Sequence, residues 1–496
     1  MIYQWGCIVA VINLPIVGQS YHLKDWSIDC QRTLNLYPQA VESQTAPQVS
    51  ALLPTEGLTR LFEFTGESQE YSAKVRGIYA LTDRVLVVVS MRLVVIQNEE
   101  WRDIGYLRGL DKVTFADNGL EVFMTGNDEY GFTGHVYNIE DDTLTEILVD
   151  DGEAEDGNGF FGASTVTFLD SRFIWTEPNS GRIQWSGLLT HETDALSYAT
   201  AESKSDNLVR VISNNGLLWL IGEKTTEVWV STGSSDAPFV RQSGAYIPTG
   251  CLAKDSIVEF GTSLIWLSQT DFGANQIVMT EGYQTNRISN HAIESALARY
   301  ENTTDAYAFS YQREGHAFYV ISFPTDRKTW CYDASTGMWH ERSWYNADNS
   351  SHEHHRAYSH CYFKGRHLVG DREKPLIYVL NADEETDDGA VIIRERTTPC
   401  INPHSSRMIF DEVELICQVG QDINTKPTIM FDWSDDRGKT WSSDRVEEIT
   451  NDVGSIGEYQ KRVIFRRLGQ SFGRVFRVRM TDAGRLIIMG ATAKVR

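Results

Sequence analysis

The chain has 496 residues, 41% of them hydrophobic and 11% aromatic, which is enough apolar material for large packed cores and excludes global disorder. A net charge of −23 excludes a protein that coats nucleic acid through a generally basic surface. Seven cysteines, an odd number with no CxxC spacing, point to neither a disulfide framework nor a thiolate zinc site.

The opening run, Met1 to Val17, is apolar but lacks the cationic start of a secretory signal, and Gln4, Asn13 and Pro15 interrupt it. No later stretch approaches the roughly 18 apolar residues that a membrane span needs, so a soluble, unexported protein without a membrane-spanning segment is expected. Residues 1–70 read as an extended arm punctuated by turns, as in QRTLNLYP (Gln31–Pro38) and LPTEGL (Leu53–Leu58). Such an arm can wrap the body or complete a first or last blade.

Over residues 71–385 one two-strand phrase recurs. The first strands begin at Val85, Leu120, Phe173, Leu217, Leu264, Ala317 and His367, and each is followed by a turn-rich gap and an apolar return strand. Strand units repeating at roughly 40 to 50 residues are the signature of propeller blades. Gly119, Gly216, Gly261, Gly315 and Gly365 each stand just before a first strand, where a turn with positive φ would feed an inner strand. The predicted fold class is all-β: a β-propeller-like body of six or seven blades, with regularly spaced hairpins of a two-sheet sandwich as the alternative.

Within this body the run Asp150–Gly159 is acidic and glycine-rich. It lacks the EF-hand spacing and reads as a solvated loop rather than a calcium site. Asn290–Glu301 is the one convincing helix, capped by Ser289 or Asn290, with Ile293, Leu297 and Tyr300 on one face. The histidine-rich run Ser351–Tyr362 holds His352, His354, His355, His360 and Cys361. Strand alternation splits these residues between faces, so solvated-loop or interface histidines are expected rather than a metal site. At a subunit contact they would weaken assembly on protonation near pH 6.

Glu384–Gly389 reads as a linker, and residues 386–496 as a C-terminal β-sandwich-like module of six short strands. In it Ser434, Asp436, Gly438, Thr440 and Trp441 complete an Asp-box pattern, S-x-D-x-G-x-T-W, which is a structural hairpin turn and carries no chemistry by itself. The last 38 residues hold ten Lys or Arg and a single acid, Asp482. Arg477 and Arg479 share one strand face while Arg474 shares the other with Phe476 and Val478. Arg466, Arg467, Arg474, Arg477 and Arg479 are therefore candidate contacts to DNA phosphates or to an acidic neighbouring copy, against the plainer reading of a solvated basic surface.

Several phrases in order resemble a known family. They are INLPIVGQSY (Ile12–Tyr21) with QRTLNLYP, then IGEKTTEVWVSTG (Ile221–Gly233), YIPTGCLAKDS (Tyr246–Ser256) and SLIWLS (Ser263–Ser268). WCYDASTGMWHERS (Trp330–Ser343), VGDREKPLIYVL (Val369–Leu380) and YQKRVIFRRLGQSFGRVFRVRM (Tyr459–Met480) follow. Together the set is similar to the packaged-DNA stabilisation proteins, or tail accessory factors, of short-tailed phages.

That resemblance implies a virion tail protein assembled in the host cytoplasm: a homo-hexameric hub or nozzle below the portal-bound head-to-tail adaptor. The hexamer would extend the channel for double-stranded DNA without reading its sequence, help retain the genome, and dock a tail needle or plug and tailspike or fibre proteins. No catalytic residue, metal or other cofactor is implied. An acidic channel wall would let the duplex slide where a basic one would hold it, so a net acidic or neutral lumen is expected, with the basic C-terminal module mostly at protein contacts. The alternative function is a glycan-binding or sialidase-like propeller. One Asp box, lying outside the repeats, and no assignable arginine triad or Tyr/Glu pair count against the enzyme.

Overall fold

The computed structural model describes residues 9–23, 29–43, 49–65, 73–128, 131–150, 158–201, 206–235, 237–269, 275–401, 406–421, 426–444 and 449–496. Each of the seven two-strand phrases forms the middle pair of a four-stranded antiparallel unit. Units one to five are free-standing sheets, starting at Val75–Ala80, Phe115–Asp117, Val166–Leu169, Leu208–Asn214 and Val258–Phe260. The sixth starts at Tyr307–Arg313 and the seventh at Ala357–Phe363.

The strand before each glycine turn is innermost, so the phrase's first strand is the second of its blade and not the inner one. The register has a physical cause. The innermost strands lie beside the axis and carry mixed polar residues, whereas the second and third strands are buried on both faces and read as continuous apolar runs such as Val85–Val89. The five glycines sit in the connecting turns with φ between +63° and +85°.

Seven apolar clusters fill the seams between neighbouring units. Leu86 and Val88 of the first meet Val122 and Met124 of the second, Phe123 stacks on Trp175 of the third, and Leu368 and Ile377 of the seventh meet Val85 and Val87 of the first. A seam therefore also joins last to first, and the repeats make a propeller. The two-sheet alternative would need one continuous core, and the clusters do not form one.

The N-terminal residues close this ring. Gly57–Glu63 pairs antiparallel with Leu376–Asn381 as the fourth strand of the seventh unit. The neighbouring Asp387 pairs parallel with Leu58, so the expected linker is itself held against the arm. Upstream, Ala10–Leu14, Leu36–Ala40 and Ser50–Pro54 join a sheet with Met408–Cys417, Val463–Arg466 and Ile488–Val495.

The facing sheet contains Arg394–Thr397, Val475–Met480, Thr428–Ser434 and Ile449–Asp452. It continues into the sixth blade through Thr33–Leu34, which bridges Glu341 on one side and Glu395 on the other. An eighth apolar cluster, including Leu14, Leu52, Phe410, Phe431, Phe476 and Ile488, fills the space between the two sheets and makes a β-sandwich. The expected helix is shorter than its apolar spacing implied, His291–Leu297, with Asn290 Oδ1 accepting from Ile293 N at 3.0 Å.

Candidate functional site

The most heavily constructed region is the seam where arm, propeller and sandwich meet. Arg396 is fully buried, with no carboxylate partner among the described residues. Its guanidinium donates to the Ile16 and Gln19 carbonyls (2.5 and 3.0 Å), Thr33 Oγ1 (2.8 Å) and Gln31 Oε1 (2.7 Å), and desolvation pulls its pKa down to about 9. Arg32 reaches Glu341 of the sixth blade at 3.0 Å and Glu395 of the sandwich at 3.4 Å. Asn35 adopts φ +52°, donates to the Ser343 and Ile393 carbonyls, and accepts from Ser343 N at 2.9 Å. Arg342, 1% exposed, pairs with Glu56 at 3.1 Å beneath Tyr311, whose hydroxyl also donates to Glu56 at 2.9 Å. Charged side chains placed inside this way serve to hold three parts in one register.

Sequence reasoning missed these buried groups. Arg394, Glu395 and Arg396 alternate as a half-exposed strand would, yet both arginines are 0% exposed: Arg396 lies against the arm, and Arg394 reaches the Gly484 carbonyl and Glu385. Only the strand-breaking conformation of Asn35 in QRTLNLYP was available as a signal.

Among the described residues, the propeller axis is crossed at one mouth. Lys112, before the second blade, donates to the Ala308 carbonyl of the sixth at 3.0 Å, next to the rings of Tyr307 and Tyr358. Burial pulls its pKa down to about 8. Lys254 pairs with Asp111 at 3.1 Å, and Arg210 donates to the Lys254 and Ile257 carbonyls. The cavity left among the inner strands is about 320 Å³, room for about ten waters at roughly 30 Å³ each. A duplex cannot pass along this axis.

The Asp-box residues form one hairpin. Asp436 Oδ1 accepts from Lys439 N (3.0 Å), Thr440 N (2.8 Å) and Ser434 Oγ (2.6 Å), while Oδ2 accepts from Thr440 Oγ1 (2.6 Å). Although burial opposes ionisation, these bonds bring the carboxyl down to about 2. Gly438 takes φ +93° and donates to Ser434 Oγ at 2.7 Å. Trp441 lies 3.8 Å from the Arg477 guanidinium carbon, so the turn is clamped to the strand Val475–Met480.

Most of the candidate contact arginines already have partners within the chain. Arg477 pairs with buried Asp432, which Arg479 also approaches at 3.7 Å. Arg474 is 2% exposed, holds Asp435 through two bonds of 2.7 and 2.8 Å, and lies between Phe410 and Trp433. None of the three lines the propeller axis, and Arg474 and Arg477 are committed within the chain. Arg466 stays exposed while pairing with Glu412 at 3.2 Å, one rung of an ion-pair ladder with Lys494–Glu412 and Arg462–Glu414. Arg467 is exposed, with φ +64°. The basic tail is thus paired within the chain, partly with Asp411, Glu412 and Glu414 on Met408–Cys417 and partly with Asp432, Asp435 and Asp452.

The histidines are also corrected: the run is not a solvated loop. His354 and His355 are buried and His352 and His360 half-buried, and burial draws His352 down to about 4 and the other three down to about 3. They are neutral at pH 6, so the mutual repulsion expected there does not arise. No group of three or more His, Cys, Asp or Glu among the described residues could hold a metal. The acidic run at residues 151–157 lies outside the described residues.

Ser335, His316 and Asp333 come together as a possible relay, but Ser335 Oγ (2.9 Å) and Asp333 Oδ2 (2.8 Å) both meet His316 Nδ1. A relay needs its two partners on opposite ring nitrogens. Asp333 instead holds the turn to Ser335 and Thr336.

The chain is thus a two-domain, almost entirely β protein, a propeller joined to a β-sandwich. Two family models match consecutively: Bacteriophage P22 Gp10, beta-propeller, over residues 14–385, and Bacteriophage P22 Gp10, beta-sandwich, over residues 393–496. The chain belongs to this family of phage packaged-DNA stabilisation proteins, and is by family a structural component of the virion tail.

No curated protein sequence matches significantly. Solved structures similar to it include the WD40 domain of Toxoplasma gondii coronin (8% identity, 73% of this chain and 87% of that one, TM-score 0.37). A putative 6-phosphogluconolactonase of Bacteroides fragilis is comparable (9%, 68% and 96%, TM-score 0.37). PorZ, a surface component of the type-IX secretion system of Porphyromonas gingivalis, is matched at 10% identity over 60% of this chain, which spans 41% of PorZ (TM-score 0.31). No domain of the described residues contains a helix long and apolar enough to cross a membrane.

Proposed function

We propose that the protein is the hexameric hub or nozzle of a short-tailed phage, lying below the portal-bound adaptor, extending the DNA channel, helping to retain the packaged genome and docking needle and spike or fibre proteins. The observation that carries this reading is the match of both domains, in order, to one family of packaged-DNA stabilisation proteins. The blocked propeller axis supports a channel running between copies rather than through each one. The arm that ties propeller to sandwich suits a part loaded by pressurised DNA. The role is structural, and the glycan-binding or sialidase-like alternative draws no support from the lone Asp box, whose residues all hold their own turn.

Complementation tests the retention role. Filled heads carrying portal and adaptor are mixed with the purified protein and challenged with nuclease. Protection that rises with added protein is expected. Heads that leak equally with and without it would contradict the proposal.

A further inference from the structure

Between the sixth and seventh blades an open groove of about 940 Å³ runs from the inner strands to the arm strand that closes the ring. Arg60, Arg313 and Arg366 stand along it, and among the described residues no Asp or Glu belongs to its wall, in a chain with 68 acids against 45 lysines and arginines. Arg366 is exposed and makes no ion pair among the described residues. Arg60 meets Asp388 and Glu63 outside the wall, and Arg313 meets Glu314 at 3.5 Å. The Arg313–Glu314 contact, long and exposed, holds little free energy and exchanges readily for another carboxylate, whereas Arg60 is forked onto Asp388 and stays there.

The groove also carries an aromatic shelf. Tyr362 is 60% exposed and packs on His367 at 4.9 Å between ring centres, and His367 bonds His360 at 3.0 Å and meets Tyr311 edge-on. Burial lowers the pKa of both histidines, so they act as neutral rings and hydrogen-bonding groups, and the positive charge comes from the arginines alone. Thr59, Ser310, Gln312 and Asn381 add uncharged donors and acceptors.

We propose that this groove docks a short, extended acidic segment of a partner protein, with its carboxylates on Arg366 and Arg313, its aromatic or aliphatic side chains on Tyr362, and its backbone on the amides and hydroxyls between. A net charge of −23 repels a long polyanion as a whole. At physiological salt the field fades within about 8 Å, so a segment with a few carboxylates feels mainly the local arginines. Thr59 and Arg60 belong to the arm, so the groove exists only once the arm has closed the ring. This deepens the docking part of the proposed function but does not depend on a six-fold ring.

The test is fluorescence anisotropy of a labelled peptide alternating Glu and Tyr, titrated with the full chain at low and physiological salt. Saturable binding is expected. It should weaken about tenfold in Arg366→Glu and in Arg313→Glu, stay unchanged in Arg462→Glu on the sandwich, and be absent for a Gln-and-Tyr peptide. If a charge reversal disturbs folding, Arg366→Gln and Tyr362→Ala are compared with wild type instead. Equal affinity for wild type and the groove variants, or no binding, would overturn the proposal. Displacement of the peptide by oligothymidylate at lower concentration would overturn it in favour of single-stranded nucleic acid. The groove fails alone if a six-fold ring forms without peptide binding, and the ring fails alone if a monomer binds the peptide.

Discussion

Glu56 offers the sharpest perturbation of the seam. Its carboxylate is 4% exposed and answers an Arg342 guanidinium that is 1% exposed, with the Tyr311 hydroxyl as second donor. Burial opposes the charge on Arg342 while its neighbours, Glu56 among them, favour it; an arginine's intrinsic pKa lies so far above neutrality that the cation persists in Glu56→Gln with its counter-charge gone. Removing one partner of a buried pair typically costs about 3–5 kcal/mol, whereas replacing both with apolar residues is often close to neutral. Glu56→Gln is therefore expected to lose about 3 kcal/mol, and Glu56→Leu with Arg342→Met to lose less than either partner's single substitution. Denaturant unfolding followed by tryptophan fluorescence gives the energies, and hydrogen exchange in Gly57–Glu63 shows whether the arm strand loosens first. A Glu56→Gln loss below about 1 kcal/mol, or strictly additive substitutions, would refute the clamp.

Gly57→Ala should loosen the same closure, because a Cβ there meets the Glu384 and Thr386 carbonyl oxygens at 2.5 Å; a thermal midpoint equal to wild type would contradict this. Asp436→Ala removes the acceptor that holds the Asp-box turn and is expected to destabilise the sandwich by about 2 kcal/mol, measured by unfolding. With its folded pKa lowered to about 2, Asp436 contributes stability above its unfolded value, which is lost as pH falls toward 2. The buried histidines act in the same direction from a higher starting point. His135 and His352 near 4, and His354, His355 and His360 near 3, bind protons in the unfolded chain below about pH 6.5 but not in the folded one. Unfolding midpoints should hold above pH 6.5 and fall steadily between pH 6 and 4, and a flat profile would show that these side chains are hydrated in the native state.

The blade rhythm was legible because second and third strands are buried on both faces, so that runs such as Val85–Val89 and Leu217–Ile221 stand out, and because turns with positive φ select glycine. Innermost strands were not legible. Phe115–Asp117 and Val258–Phe260 are three residues long and mix polar with apolar side chains beside the axis. The arm's role could not be read locally either, since Thr33–Leu34 becomes a strand only between Glu341 and Glu395, partners more than 300 residues away. The Asp box was plain from its spacing. The employment of Arg474 and Arg477 was hidden, because charge content does not reveal that Asp435 and Asp432 lie opposite them. Burial likewise turned histidines that looked solvated into neutral core residues.

The central claim is that copies of this chain build the tail channel, and electron microscopy of the purified protein mixed with a portal–adaptor complex tests it most directly. A six-fold extension below the adaptor is predicted, with an open axis between copies and each propeller's own axis closed by Lys112. Monomers that never join the complex, or density for DNA running through a propeller axis, would contradict it.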